Sequence, residues 1–129
     1  NLLSTIRLDV TDEGWSALCP NQDLILLVNL LHLVSESEAK VIIDGISKSL
    51  MPGGRCVIYG PFMRDGFLTS DGDRAFNQSL IEADPDIGYK DDTWMLDLFQ
   101  NHNLKTVKIA NMPANNLAFI IEKKHPKRS

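Results

Sequence analysis

Cysteine is scarce in this sequence. Cys19 and Cys56 are the only two among 129 residues, and they do not form a Cys-x-x-Cys pair. That excludes a disulfide framework and a cysteine-built zinc site, and makes a reducing, cytoplasmic setting the expectation. Long apolar runs are also missing. The longest, Leu24 to Leu31, is broken by Asn29 and falls far short of the roughly 18 residues a membrane-spanning helix requires. Neither a signal peptide nor a membrane partner is expected. Positive charge is not in excess: 13 basic against 17 acidic residues give a formal charge of −4, which argues against a nucleic-acid partner held by phosphate neutralisation. The one basic run, Lys123-Lys124-His125-Pro126-Lys127-Arg128, reads as a solvated tail. No His, Cys, Asp and Glu fall at metal-ligand spacing, so no metal site is expected, and no Gly-x-Ser-x-Gly elbow is present. The chain opens on Asn1-Leu2-Leu3 without an initiator methionine, which leads to the expectation of residues upstream.

What is present is an ordinary globular composition, 43% hydrophobic and 23% charged, in a length suited to one domain. Thr5 to Val10 alternates as a short strand does, and Thr11 to Pro20 reads as a connection with Trp15 packing back on the body. Asp23 to Val28 is a continuous apolar run, the pattern of a parallel strand covered on both faces by helices. Ser35 and Glu38 then form a capping box, and Ala39, Ile42, Ile43, Ile46 and Leu50 recur at helical spacing. Pro52-Gly53-Gly54 stops that helix, and Cys56 to Tyr59 is a second buried strand, closed by Gly60-Pro61.

The pattern changes after Phe62. Asp73 is expected to cap a short helix through Phe76, Leu80 and Ala83, ended by Pro85. A further helix from Asp91 or Asp92 buries Trp94, Met95, Leu98 and Phe99 and ends near Asn101 to Asn103. Thr106 to Met112 and Leu117 to Ile121 read as two antiparallel strands joined by the turn Pro113 to Asn116. No internal repeat or low-complexity segment interrupts this order. Strand–helix–strand alternation implies an α/β sheet, whose ligands sit beyond the carboxyl ends of its strands.

That rule selects three positions. Asp9, in Asp9-Val10-Thr11, can hydrogen-bond a nucleotide's hydroxyl or amine, or simply form a turn. Asn29 and His32 end an apolar strand, and buried polar groups there need partners. Either Asn29 bonds local backbone and His32 caps the strand end, or both line a ligand site in which His32 exchanges a proton near neutral pH. Tyr59-Gly60-Pro61-Phe62 places a glycine where backbone can approach a ligand, followed by a rigid turn and an exposed aromatic. Asn115 and Asn116 offer amides that donate and accept, or serve only the turn. His102 reads as a surface or helix-capping residue.

The segments Leu8-Asp9-Val10-Thr11, Asn29-Leu30-Leu31-His32, Tyr59-Gly60-Pro61-Phe62, Asp84-Pro85, Gly88 with Asp91, and Met112-Pro113-Ala114-Asn115-Asn116 follow one another over nearly the whole chain. In this order they resemble the small methyltransferase-like proteins of the S-adenosylmethionine-dependent methyltransferase superfamily. The resemblance implies a Rossmann-like methyltransferase fold, incomplete, with a mostly parallel sheet ending in an antiparallel hairpin. It implies S-adenosylmethionine as cofactor and a small-molecule methyl acceptor. Asp9, Val10 and Thr11 would lie near the adenine, and Asn29 and Leu30 beside the methionine end and sulfonium. Tyr59, Pro61, Phe62, Asn115 and Asn116 would border the acceptor pocket, with His32 orienting or deprotonating the acceptor. Relatives usually carry Asn and Asp where this chain has Asp73 and Asn77, and often Trp and Arg where it has Ile87 and Lys90.

One part of that family pattern is missing. None of Gly14, Gly45, Gly53-Gly54 or Gly60 sits in the glycine-rich loop that follows the family's first strand. Residues 1–129 are therefore expected to be the C-terminal portion of a single methyltransferase-like domain, with little cofactor affinity alone. The resemblance further implies an apolar sheet edge left open, available for a homodimer. Two other classes of function compete with the methyltransferase. One is a non-catalytic interaction module that uses this edge, and the other is a different α/β nucleotide-binding enzyme.

Overall fold

The computed structural model describes residues 9–126, so most of the strand expected over Thr5 to Val10 lies outside the described residues; Asp9 and Val10 enter a turn. The chain then forms β1 (Gln22–Val28), α1 (Glu36–Ser49), β2 (Leu50–Pro61), α2 (Asp71–Ala83), α3 (Asp92–Asn101), β3 (Leu104–Asn111) and β4 (Asn116–Lys123). The strands form one sheet in the order β1-β2-β4-β3. β1 and β2 are parallel, whereas β4 runs antiparallel to both β2 and β3. β1, β2 and β3 therefore point the same way, and β4 inserts between β2 and β3 as the returning arm of a hairpin. This is the α/β sheet with a terminal hairpin that the sequence pattern implied.

Local chemistry explains the helices. Ser35 accepts a hydrogen bond from the Glu38 amide at 3.1 Å, and the Glu38 carboxylate accepts from the Ser35 amide at 3.0 Å, closing the capping box of α1. α2 starts differently from expectation: Ser70, not Asp73, is its cap, accepting from the Asp73 amide at 3.0 Å. Asp73 is thereby left in the first turn, where its carboxylate also suits the positive end of the helix dipole. Asp91 caps α3, and His102 ends it. Pro52 to Gly54 does not separate helix from strand, because β2 already begins at Leu50.

The core lies under one face of the sheet. Ile42, Ile43 and Ile46 of α1 meet Cys56 and Ile58 of β2, Phe119 and Ile121 of β4, and Met95 and Phe99 of α3. Each large side chain so buried contributes about 1.5–3 kcal/mol. Phe119 is the centre of this packing, edge-on to Phe62 at 4.9 Å and to Phe99 at 5.5 Å between ring centroids. Trp15 packs back as expected, its indole lying so close to α1 that a Cβ on Gly45 would come within 2.2 Å of it.

The other face differs from expectation. β1 is not covered on both sides among the described residues: Leu24, Leu26 and Val28 are 55%, 64% and 59% exposed. Side chains alternate across a strand, so Ile25 and Leu27 reach the core while these three point away from it. Their edge of the sheet has no neighbouring strand among the described residues. No described helix is long and apolar enough to cross a membrane.

Candidate functional site

The carboxyl ends of β1 and β2 open onto a polar cluster. After Val28 the chain turns sharply at Asn29, whose φ of 54° is a left-handed value asparagine tolerates. Its amide donates to the Tyr59 carbonyl at 2.8 Å, holding the two strand ends together. A Cβ at Gly60 would meet the Asn29 side-chain oxygen at 3.6 Å, so this glycine faces Asn29 closely. Leu30 is half-buried, and a single turn of 3-10 helix, Leu31–Leu33, then carries His32 inward.

His32 is 7% exposed, and its Nδ1 is buried without a hydrogen-bond partner among the described residues. Its ring lies 5.7 Å from Phe76 and 6.2 Å, edge-on, from Tyr89. Burial, and then the positive charge of Lys90, hold its pKa below the ordinary histidine value. The imidazole is therefore neutral near pH 7, with a ring nitrogen still to be satisfied.

Around it the polar groups are paired with one another. The Tyr89 hydroxyl donates to the Asp73 carboxylate at 2.7 Å, and the Tyr89 amide donates to the Asn77 side-chain oxygen at 2.9 Å. Burial, followed by the Asp73 carboxylate, pushes the pKa of the Tyr89 hydroxyl well above its ordinary value, so Tyr89 stays a proton donor at any ordinary pH. Asp73 is itself partly desolvated, but bonds from Ser70, Tyr89, Asn115 and Thr69 outweigh that and keep its carboxyl below the usual carboxylate range. The Asn116 amide donates to the Tyr59 hydroxyl at 3.2 Å and to the Pro113 carbonyl at 3.0 Å. Asn115 and Asn116 thus tie the hairpin turn to α2 and to β2 respectively. Beside this cluster a crevice of 510 Å³ runs between residues 35–37 and 85–90, with Tyr89 and Lys90 in its wall.

The structure sorts the expected site residues. It brings Asn29, Tyr59, Asn115 and Asn116 to the same end of the sheet as His32. Asp9, Val10 and Thr11 instead form a turn of their own: the Asp9 carboxylate accepts from the Thr11 hydroxyl at 2.5 Å and from its amide at 3.0 Å. Those two bonds hold its pKa below the usual carboxylate value. Pro61 and Phe62 are buried, and Phe62 is not the exposed aromatic expected after Gly60-Pro61. At 2% exposure it is a core residue, turned inward by its edge-on contact with Phe119. Tyr89, Lys90 and Phe76 carry no local chemical signal in the sequence, because most of their partners lie far away in it; the family departures at Asp73, Asn77 and Lys90 fall in this region.

The arrangement sets one buried, neutral imidazole nitrogen beside the rings of Phe76 and Tyr89. Among the described residues no three His, Cys, Asp or Glu side chains come together as a metal site. Asn29 presents an exposed side-chain amide at the carboxyl end of β1, near the buried His32.

The fold has solved counterparts. An O-methyltransferase family protein from Burkholderia thailandensis superposes with a TM-score of 0.76 at 17% identity, over 95% of this chain and 36% of that one. Human N-acetylserotonin methyltransferase, solved in complex with SAM, gives 0.75 at 14% identity, over 91% of this chain and 32% of that one. An O-methyltransferase family 2 protein from Planctomyces limnophilus, in complex with apigenin, gives 0.72 at 19% identity, over 81% and 31%. The chain spans 36%, 32% and 31% of the length of these three proteins, and its α/β architecture is that part of the methyltransferase fold. Residues 1–123 match the family described as "Protein of unknown function (DUF938)", and the chain belongs to that family.

Proposed function

We propose that the chain forms the acceptor side of an S-adenosylmethionine-dependent methyltransferase, as the C-terminal portion of a single methyltransferase-like domain, with a small molecule as methyl acceptor. The observation that carries this reading is the buried, unpartnered Nδ1 of a neutral His32 among Phe76 and Tyr89. The solved counterparts bound to SAM and to S-adenosylhomocysteine support the cofactor assignment. The free thiols of Cys19 and Cys56 suit a reducing, cytoplasmic setting.

When bound, the cofactor supplies an electrophilic methyl group. Asn29 and Leu30 would hold its methionine end, and the Asp9-Val10-Thr11 turn would serve its adenine. His32 takes the acceptor's proton at Nδ1, which a neutral imidazole protonated at Nε2 leaves free. Phe76 and Tyr89 fix the acceptor's approach, since transfer depends on near-attack geometry. Tyr59, Asn115 and Asn116, with Pro61 and Phe62 behind them, shape the acceptor's side of the pocket.

A His32→Ala variant of the complete protein tests this with labelled cofactor and a metabolite pool. Turnover should fall by about 10²–10⁴-fold while cofactor affinity measured by calorimetry holds. Unchanged methyl transfer would remove His32 from the mechanism.

The open face of β1 favours a second reading, an interaction module or homodimer joined through Leu24, Leu26 and Val28. Sedimentation should then give a dimer that Leu26→Glu disperses. A monomer before and after substitution rejects it.

A further inference from the structure

Lys90 is the least accommodated charge among the described residues. It is 5% exposed, yet it forms no ion pair among them. Burial of an ammonium without a carboxylate is costly, so its placement demands a physical return. Its Nζ donates to two backbone carbonyls, that of Val34 and that of Gly88, the latter at 2.9 Å. Val34 follows directly on the turn that carries His32. From the other side the Gly88 amide donates to the His32 carbonyl at 3.1 Å. The Lys90 carbonyl in turn accepts from the Met63 amide at 2.9 Å, anchoring the segment to the chain leaving β2.

We propose that Lys90 is a positioning residue for the proposed transfer: its ammonium clasps the His32 turn to residues 88–90 and sets a fixed positive charge beside that imidazole. The inference rests on the reading of His32 as proton acceptor. A cation near an imidazole disfavours imidazolium, and in a buried setting salt screens this little. The pocket therefore keeps His32 ready to take a proton instead of already holding one. Burial and Lys90 act in the same direction on His32. The other charged and titratable groups of the surroundings are Tyr89 in the same segment, Asp73 on α2, and Glu36 and Glu38 on α1. Tyr89 is un-ionised and spends its proton on Asp73. Glu36 and Glu38 act on Lys90, favouring its charged form against the burial that disfavours it.

The test is an NMR titration of the His32 ring in the complete protein, in its wild-type form and as K90M and K90R. The wild-type midpoint should lie below the ordinary 6.5. K90M, which keeps the length but removes the charge, should raise it by about one pH unit, and K90R should restore it. With turnover measured in parallel, the acid limb of the K90M pH profile should move by the same amount. A wild-type midpoint at or above 6.5, or a folded K90M with an unmoved midpoint, overturns the proposal; the wild-type measurement decides even if K90M does not fold. Failure of His32 as proton acceptor would appear separately, as unchanged turnover in His32→Ala with the Lys90-dependent titration intact.

Discussion

The two ends of the sheet treat buried polarity in different ways. At the amino end the buried hydroxyls and a histidine turn to nearby backbone. The Ser49 hydroxyl donates to the Cys19 carbonyl, the Ser47 hydroxyl to that of His102, and His102 Nδ1 sits 2.8 Å from the Leu98 carbonyl. At the carboxyl end bonds between side chains, Tyr89 to Asp73 and Asn116 to Tyr59, join the backbone-directed bonds of Lys90, and His32 Nδ1 has no partner among the described residues. Backbone-directed bonds close an end, because they satisfy groups that the fold itself creates. Side-chain networks with a spare nitrogen cost stability and are warranted where a further molecule completes them. The two histidines make the point: His102 completes a helix end, and His32 awaits a partner. One other buried nitrogen, Trp15 Nε1, also lacks a partner among the described residues; it is packed against α1 at Gly45, at the wall of a 340 Å³ crevice shared with Lys40, Asp44 and His102.

Exchanging effects between the two ends would break this contrast. Asp73→Asn takes the acceptor charge from Tyr89 and should lower turnover by about 100-fold through misplacement of the aromatic wall. The Tyr89 hydroxyl, whose pKa burial and Asp73 raise, should then ionise at lower pH in an ultraviolet titration. An Asp73→Asn chain of normal activity would mean that the Tyr89–Asp73 pair serves only the fold. Ser49→Ala, at the opposite end, strands the Cys19 carbonyl and should cost about 1–3 kcal/mol in urea unfolding, with turnover per folded molecule unchanged. Loss of turnover in that variant would show that the ends are coupled.

How far the sequence reveals this depends on the distance over which each feature is decided. The capping box of α1 is legible because Ser35 and Glu38 stand three residues apart and need nothing else. The apolar run ending at Val28 reveals a strand, but not which face is covered, since that depends on elements beyond the strand. The burial of Phe62 is hidden for the same reason: its inward turn is set by Phe119 on β4, and Gly60-Pro61 holds no trace of it. The cap of α2 shifted by three residues because Ser70 and Asp73 are both competent and bond each other at 2.6 Å. Site legibility follows the same rule. Asn29, His32, Tyr59 and Asn116 could be picked from strand ends, whereas Lys90 meets Val34 across 56 residues and sits in a stretch without periodicity.

The insertion of β4 has a consequence for how the molecule is made. Synthesis runs from the amino terminus, and β4 is the last of the four strands to leave the ribosome. Until it does, β2 and β3 cannot join, because β4 alone bridges them, and Phe119 is not there to meet Phe62 and Phe99. The nascent chain therefore carries the β4-side edge of β2 unpaired from the emergence of β2 until that of β4, a state prone to aggregation. Completion of the sheet waits on its final piece, and so does the end of that vulnerable interval.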